Sequence, residues 1–228
     1  MIETLAWTWA MMLGNEYISP NEVKEMLELE GIEKFLEYYH GGKKLIIVAD
    51  HVGLFDQMVR IGSLFGLRGY VPVEPIKPAW RFKLVARLRA YSADILFEPT
   101  EKGKTLARAA AHLADGRIVF LMIDVPTQEG SGVPCRIGAS WAKFPVGAVK
   151  LALEQDATIF PFLPSWNRDQ KVKVVIGPPF ELTRTGDLNQ DIELNTRRLV
   201  EELFAPHIQE NWDSWLRSLW SNLSKAPE

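Results

Sequence analysis

Short apolar or β-branched runs alternate with longer amphipathic stretches along this chain. "KKLIIVAD" (43–50), "RGYVPVEP" (68–75), "ADILFEP" (93–99), "RIVFLMID" (117–124) and "ATIFPFLPSW" (157–166) have the length and composition of strands. Between them, "LFDQMVRIGSLFGL", "AWRFKLVARLRAYS", "EKGKTLARAAAHLADG" and "FPVGAVKLALEQ" read as helices, several closing on a glycine. Strand and helix in rotation predict an α/β fold, a largely parallel central sheet flanked by helices. "QKVKVVIG" follows "PSWNRD" closely enough to pair antiparallel through a turn. The expected organisation is one domain over 1–228: N-terminal helices over 1–40, an α/β core over 43–182 and C-terminal helices over 187–224. No repeat or low-complexity linker interrupts it.

Composition narrows the function classes. With 228 residues, 47% hydrophobic and 24% charged, the chain can bury a sizeable core. A net charge of −3 gives no overall pull toward nucleic acid, so any anion site has to be local. The single Cys135 forms no intrachain disulfide, which agrees with a reducing, cytoplasmic setting. "LAWTWAMML" near the start falls far short of the roughly 20 residues a bilayer span needs and has no signal-peptide flanks. It reads as a helix packed on the core, with an interfacial position as the alternative.

The apolar run that opens "LIIVADHVGLFDQM" (45–58) ends abruptly at His51, and Asp56 follows five residues after the histidine. Ligands in open α/β sheets collect outside the carboxyl ends of the strands. His51 lies at such an end, as does Asp124, and Glu74 lies near a third. Within one helix, residues five apart point roughly 140° away from each other, so His51 and Asp56 meet only if the histidine stays in the turn and the acid rides the following helix. A carboxylate on one imidazole nitrogen fixes the tautomer and frees the other as a base, which is worth about 10² to 10⁴ in rate. Backbone N–H groups near Gly53 would then face a developing oxyanion. The bland alternative is a histidine capping a helix whose first turn favours an acid.

"HVGLFD" resembles the H-x4-D/E motif of the glycerolipid and lipid A acyltransferases. "DVPTQEGSGVPCRIGASWAKFPVGAVKLALEQDATIFPFLPSW" resembles the segment of the lipid A late acyltransferases in which a strand-end Asp precedes a glycine-rich loop, a small-residue helix and another strand. "NTRRLVEELFAPHIQENWDSWLRSLW" is similar to the closing helices of that branch, and the likeness covers about 30–220. It implies a glycerolipid acyltransferase-like fold with His51 as general base and Asp56 as its orienting acid. By the same resemblance Arg89 lies in the active-site groove, Asp124 is the acid after the central strand, and Glu74 in "VPVEP" matches a glutamate of phosphatidylinositol mannoside acyltransferases. Leu54 stands where the lipid A enzymes commonly carry Asn, "FEPT" (97–100) where many have Arg, and Glu74 replaces another frequent Arg. Two potential phosphate contacts are therefore missing, and the acceptor stays open.

The implied activity is transfer of a fatty acyl group from acyl-CoA or an acyl carrier protein to a hydroxyl of a lipid or glycolipid. The alternatives are acylation of a soluble small molecule and a silent lipid-binding module. No metal and no bound cofactor is expected, and the acyl thioester serves as co-substrate. Lys77, Arg81, Lys83, Arg87 and Arg89, interleaved with Trp80, Phe82 and Leu84, suit lipid headgroups, coenzyme A phosphates or an acidic carrier protein, with a solvated helix as the alternative. The expected location is cytoplasmic, in peripheral contact with the inner face of a membrane. Trp212, Trp215, Leu216, Leu219 and Leu223 form an apolar stripe at helical spacing, a packing surface or an interfacial one. "GKTLARA" lacks the upstream glycine of a phosphate loop, and His40, His112 and His207 lack metal-ligand spacing. No serine sits in a nucleophile elbow, so direct attack by the acceptor fits better than an acyl-enzyme.

Overall fold

A computed structural model of the chain describes residues 6, 9–10, 13–14, 17–90, 94–125, 132–166 and 171–215. The glycine-rich loop at 126–131 lies outside them, as do Leu216, Leu219 and Leu223 of the C-terminal stripe and most of "LAWTWAMML". α1 (Pro20–Met26) starts at a capping box in which Ser19 and Glu22 exchange side-chain-to-backbone hydrogen bonds of 3.3 and 2.7 Å. It leads directly into β1 (Leu27–Glu30), so this part of 1–40 is not purely helical as expected. The alternation Leu-Glu-Leu-Glu is a strand period, and β1 adds to the sheet edge in parallel with β9.

The remaining elements are α2 (Ile32–His40), β2 (Leu45–Ala49), a 3-10 turn (Phe55–Gln57), α3 (Met58–Phe65), β3 (Arg68–Val73), α4 (Ala79–Ala90), β4 (Asp94–Pro99), α5 (Thr105–Ala114) and β5 (Ile118–Met122). Then come β6 (Val133–Ile137), β7 (Ser140–Phe144), α6 (Gly147–Gln155), β8 (Thr158–Trp166), β9 (Val172–Ile176) and α7 (Leu188–Arg198). A π-helical segment (Leu199–Phe204) and α8 (Ala205–Glu210) end on a 3-10 turn (Trp212–Ser214). Seven strands form one sheet in the order β1-β9-β8-β2-β5-β3-β4, parallel throughout except for the antiparallel β8–β9 pair. The fold is thus mixed α/β with a largely parallel central sheet flanked by helices.

β2 is the middle strand, and all five of its residues are buried because both faces are covered. Ile46 and Val48 face the core built with α5, α6, the β6–β7 hairpin and the C-terminal helices. Leu45, Ile47 and Ala49 face the core that holds Phe35 of α2, Met58 and Ile61 of α3, and Phe160 and Phe162 of β8. From β2 the chain crosses over β5 to reach β3, whereas from β5 it crosses over β2 to reach β8. Neighbouring strands whose connections leave in opposite directions open a crevice at their carboxyl ends. His51 and Asp124 lie in that crevice.

Candidate active site

Register decides which side chains meet. Ala49 of β2 is paired with Met122 of β5, and the Ile123 N–H donates to the Ala49 carbonyl at 2.8 Å. Two residues beyond that pair, His51 stands opposite Asp124. His51 Nδ1 lies 2.7 Å from Asp124 Oδ1, and the His51 backbone N–H donates to Oδ2 at 3.0 Å. Oδ2 also accepts from the Trp215 indole N–H at 2.8 Å. Asp124 is fully buried. Burial pushes its pKa up, but the His51 ring, the indole and the His51 amide outweigh burial and hold the carboxyl below its ordinary value.

This arrangement corrects the expected pair. Asp56 does not hold His51: its carboxylate is engaged by Arg89, with Nε 3.0 Å from Oδ1 and Nη2 donating to Oδ2 at 3.3 Å. The Nε contact is a close ion pair without hydrogen-bond alignment. Asp56 sits inside a 3-10 turn, and α3 begins only at Met58. The acid therefore does not occupy the helical first turn from which it was expected to reach back. The tautomer-fixing carboxylate comes instead from a neighbouring strand, a contact between residues far apart in sequence. With Nδ1 bound to Asp124, the Nε2 edge of His51 makes no hydrogen bond among the described residues, and the side chain keeps 21% of its surface open. Phe55 packs edge-on against the ring at 4.5 Å between centroids.

Gly53 has a different job from the one expected. Its N–H donates to the Ser214 carbonyl at 3.0 Å, so that amide is already used and does not face an oxyanion. The backbone there has φ +55°, and a Cβ would come within 3.0 Å of the Trp166 N and 3.1 Å of the Ser165 carbonyl carbon. Glycine lets the turn pass this close to β8. Val52 forms an isolated antiparallel bridge with Trp215, so the C-terminal segment lies along the turn that carries His51.

Glu74 is exposed just past β3 and lines the rim of a cavity of about 420 Å³, together with Pro72, Leu121, Ile123, Val125 and Ala148. Ile123 and Val125 flank Asp124 in sequence, so the cavity lies at the β5 end that carries this acid, although neither Asp124 nor His51 lines it. Its size falls within the roughly 300–1,000 Å³ range of ligand pockets. Glu74, Asp124 and His51 thus follow the ends of β3, β5 and β2, and Arg89 of α4 reaches the turn after β2 through Asp56. Cys135 is buried, and burial followed by the nearby Glu201 pushes its thiol up to about 12, which disfavours a thiolate nucleophile. Among the described residues, no group of three or more His, Cys, Asp and Glu side chains could hold a metal ion, and no helix is long and apolar enough to cross a membrane.

Sequence reasoning missed the C-terminal contributions of Ser214, Trp215 and His207. It set His207 aside for want of metal spacing, yet its Nδ1 lies 2.8 Å from Oδ2 of the buried Asp50. The only available signal was Asp50 itself, an acid ending an apolar run beside a candidate base.

A histidine held by a buried carboxylate at a parallel-sheet switch point, near a largely apolar cavity, is an arrangement able to do acid–base chemistry in an α/β fold. The chain belongs to the bacterial lipid A biosynthesis acyltransferase family, whose sequence model matches residues 1–222, and this makes it a lipid A-type acyltransferase. No curated protein sequence matches it.

Proposed function

We propose that the protein transfers a fatty acyl group from an acyl thioester, on coenzyme A or a carrier protein, to a hydroxyl of a lipid or glycolipid. His51 Nε2 takes the hydroxyl proton while Asp124 holds Nδ1 and stabilises the imidazolium. The acceptor oxygen attacks the thioester carbonyl, and the tetrahedral oxyanion collapses by expelling the thiolate, which recovers the proton from Nε2. Arg89 has guanidinium donors beyond those that engage Asp56, which suits it to the oxyanion or to donor phosphates. The apolar cavity beside Asp124 accommodates acyl carbons, and Glu74 at its rim is placed to accept hydroxyl hydrogens. On this reading Gly53 contributes to substrate binding only by shaping the turn.

α4 and the segment before it expose Ile76, Trp80 and Leu84 among Lys77, Arg81, Lys83 and Arg87. The Arg81 guanidinium lies 5.5 Å from the centre of the Trp80 ring. Such a surface suits peripheral contact with anionic lipid, and Arg89 on the same helix ties it to the site.

The observation that carries the reading is the His51–Asp124 contact with Nε2 unengaged. The test is thiol release from acyl-CoA and acyl carrier protein, with lipid, glycolipid and soluble alcohol acceptors. Wild type should release thiol in an acceptor-dependent manner, and His51→Ala should lower the rate by about 10² to 10⁴. Acceptor-dependent release unchanged in a folded His51→Ala protein would refute the assignment.

A further inference from the structure

Behind the His51–Asp124 pair lies a second histidine–carboxylate pair. Asp50 immediately precedes His51 and is fully buried on the β2 face that carries Ile46 and Val48. Its Oδ2 meets His207 Nδ1 at 2.8 Å, and the His207 side chain is only 10% exposed. Asp50 Oδ1 and His207 Nε2 are buried without hydrogen-bond partners, so each side chain is the other's one hydrogen-bonding anchor among the described residues. His207 reaches this point from α8, directly after the π-helical segment 199–204, whose Leu199, Val200 and Phe204 are fully buried. A π segment shifts the faces of a helix relative to an α-helical continuation and often marks a functional position.

We propose that His207 is a positioning residue for the catalytic histidine: by gripping Asp50 it fixes the direction in which the chain leaves β2, and so the placement of His51 against Asp124. The inference rests on the acyl-transfer reading only for the word catalytic; the physical coupling stands without it. The groups that face Asp50 are His207 from α8, Asp124 from the end of β5 and His51 next along its own strand. Burial raises the Asp50 carboxyl to about 6, the two histidines oppose that rise and Asp124 adds to it.

The sequence has four histidines, so long-range ¹H–¹⁵N NMR can follow each ring, assigned by single substitutions. In the full-length wild type, His51 should show a single tautomer with the proton on Nδ1. Asp50→Asn keeps an acceptor for His207 and removes only the charge, so the His51 tautomer should stay single. His207→Phe removes the grip at similar shape, so the His51 tautomer should become mixed; His207→Asn, which can still donate to Asp50, should restore it. In the thiol-release assay, His207→Phe should lower kcat on the order of ten-fold with donor KM within about two-fold, and His207→Asn should recover most of it. A single, unchanged His51 tautomer in a folded His207→Phe protein would overturn the proposal. If the Phe variant does not fold, Asp50→Ala removes the same grip from the other side, and a single His51 tautomer there would overturn the proposal. The NMR arm reads His51 directly, so it gives an answer even if no acceptor supports turnover, the result that would instead count against the acyl-transfer reading.

Discussion

Replacing Asp124 by Asn tests which carboxylate serves His51. Asp124 accepts three hydrogen bonds: the His51 ring on Oδ1, and the His51 amide and the Trp215 indole on Oδ2. Asparagine has the same shape but only one acceptor oxygen. That oxygen will stay where two donors converge, which turns the NH2 group toward Nδ1. Nδ1 must then accept, and the ring proton moves to Nε2, the nitrogen that has to be empty to act as a base. The whole general-base contribution is at stake, about 10² to 10⁴ in kcat, or about 3–5 kcal/mol. Asp56→Asn leaves the His51–Asp124 contact intact and acts only through Arg89, so its loss should be smaller by at least a factor of about ten. The assay is thiol release at saturating donor across pH, with near-ultraviolet circular dichroism to establish native packing. An Asp56→Asn enzyme crippled as deeply as expected for Asp124→Asn, beside an Asp124→Asn enzyme within ten-fold of wild type, would refute the reasoning.

Two further outcomes concern stability. Asp50, raised to about 6 chiefly by burial, binds a proton in the folded state over a window where the unfolded chain has lost it. Stability from this group therefore falls as pH rises from about 4 to about 6, by about 3 kcal/mol for a shift of this size. Asp124, held below its ordinary value, contributes the opposite slope, present above about pH 4 and lost on further acidification. Urea melts from pH 4 to 7 should show the Asp50 decline in wild type and not in Asp50→Asn; parallel profiles would contradict it. Gly53→Ala places a methyl at positive φ against the β8 backbone, a cost of about 1–3 kcal/mol that should lower the thermal midpoint by several degrees. An unchanged midpoint would show that the turn has room to move.

Much of the sheet was legible in the sequence because its strands are buried on both faces and read as unbroken apolar runs. β2, β5 and β8 begin and end within two residues of the runs that predict them. The β6–β7 hairpin was not predicted, although Val133, Cys135 and Ile137 alternate with polar or half-buried neighbours. Pro134 and the preceding glycines gave that segment the composition of a loop. His51 and Asp124 were both marked as strand-end groups, but their pairing follows from the β2–β5 register, a relation between residues 73 apart that local spacing does not contain. The H-x4-D spacing instead suggested a local partner, and Asp56 proved to belong to Arg89. Nothing in the order of residues said that the C-terminal segment folds back onto the turn after β2.

That return has a consequence for how the protein is made. The histidine and the strand that positions it leave the ribosome well before the indole that braces their carboxylate and the carbonyl that holds the Gly53 amide. A nascent chain can thus build its sheet long before it can hold the base in place. On the proposed function, a partly synthesised copy that lacks these braces would hold His51 less firmly and have little means of spending acyl thioester.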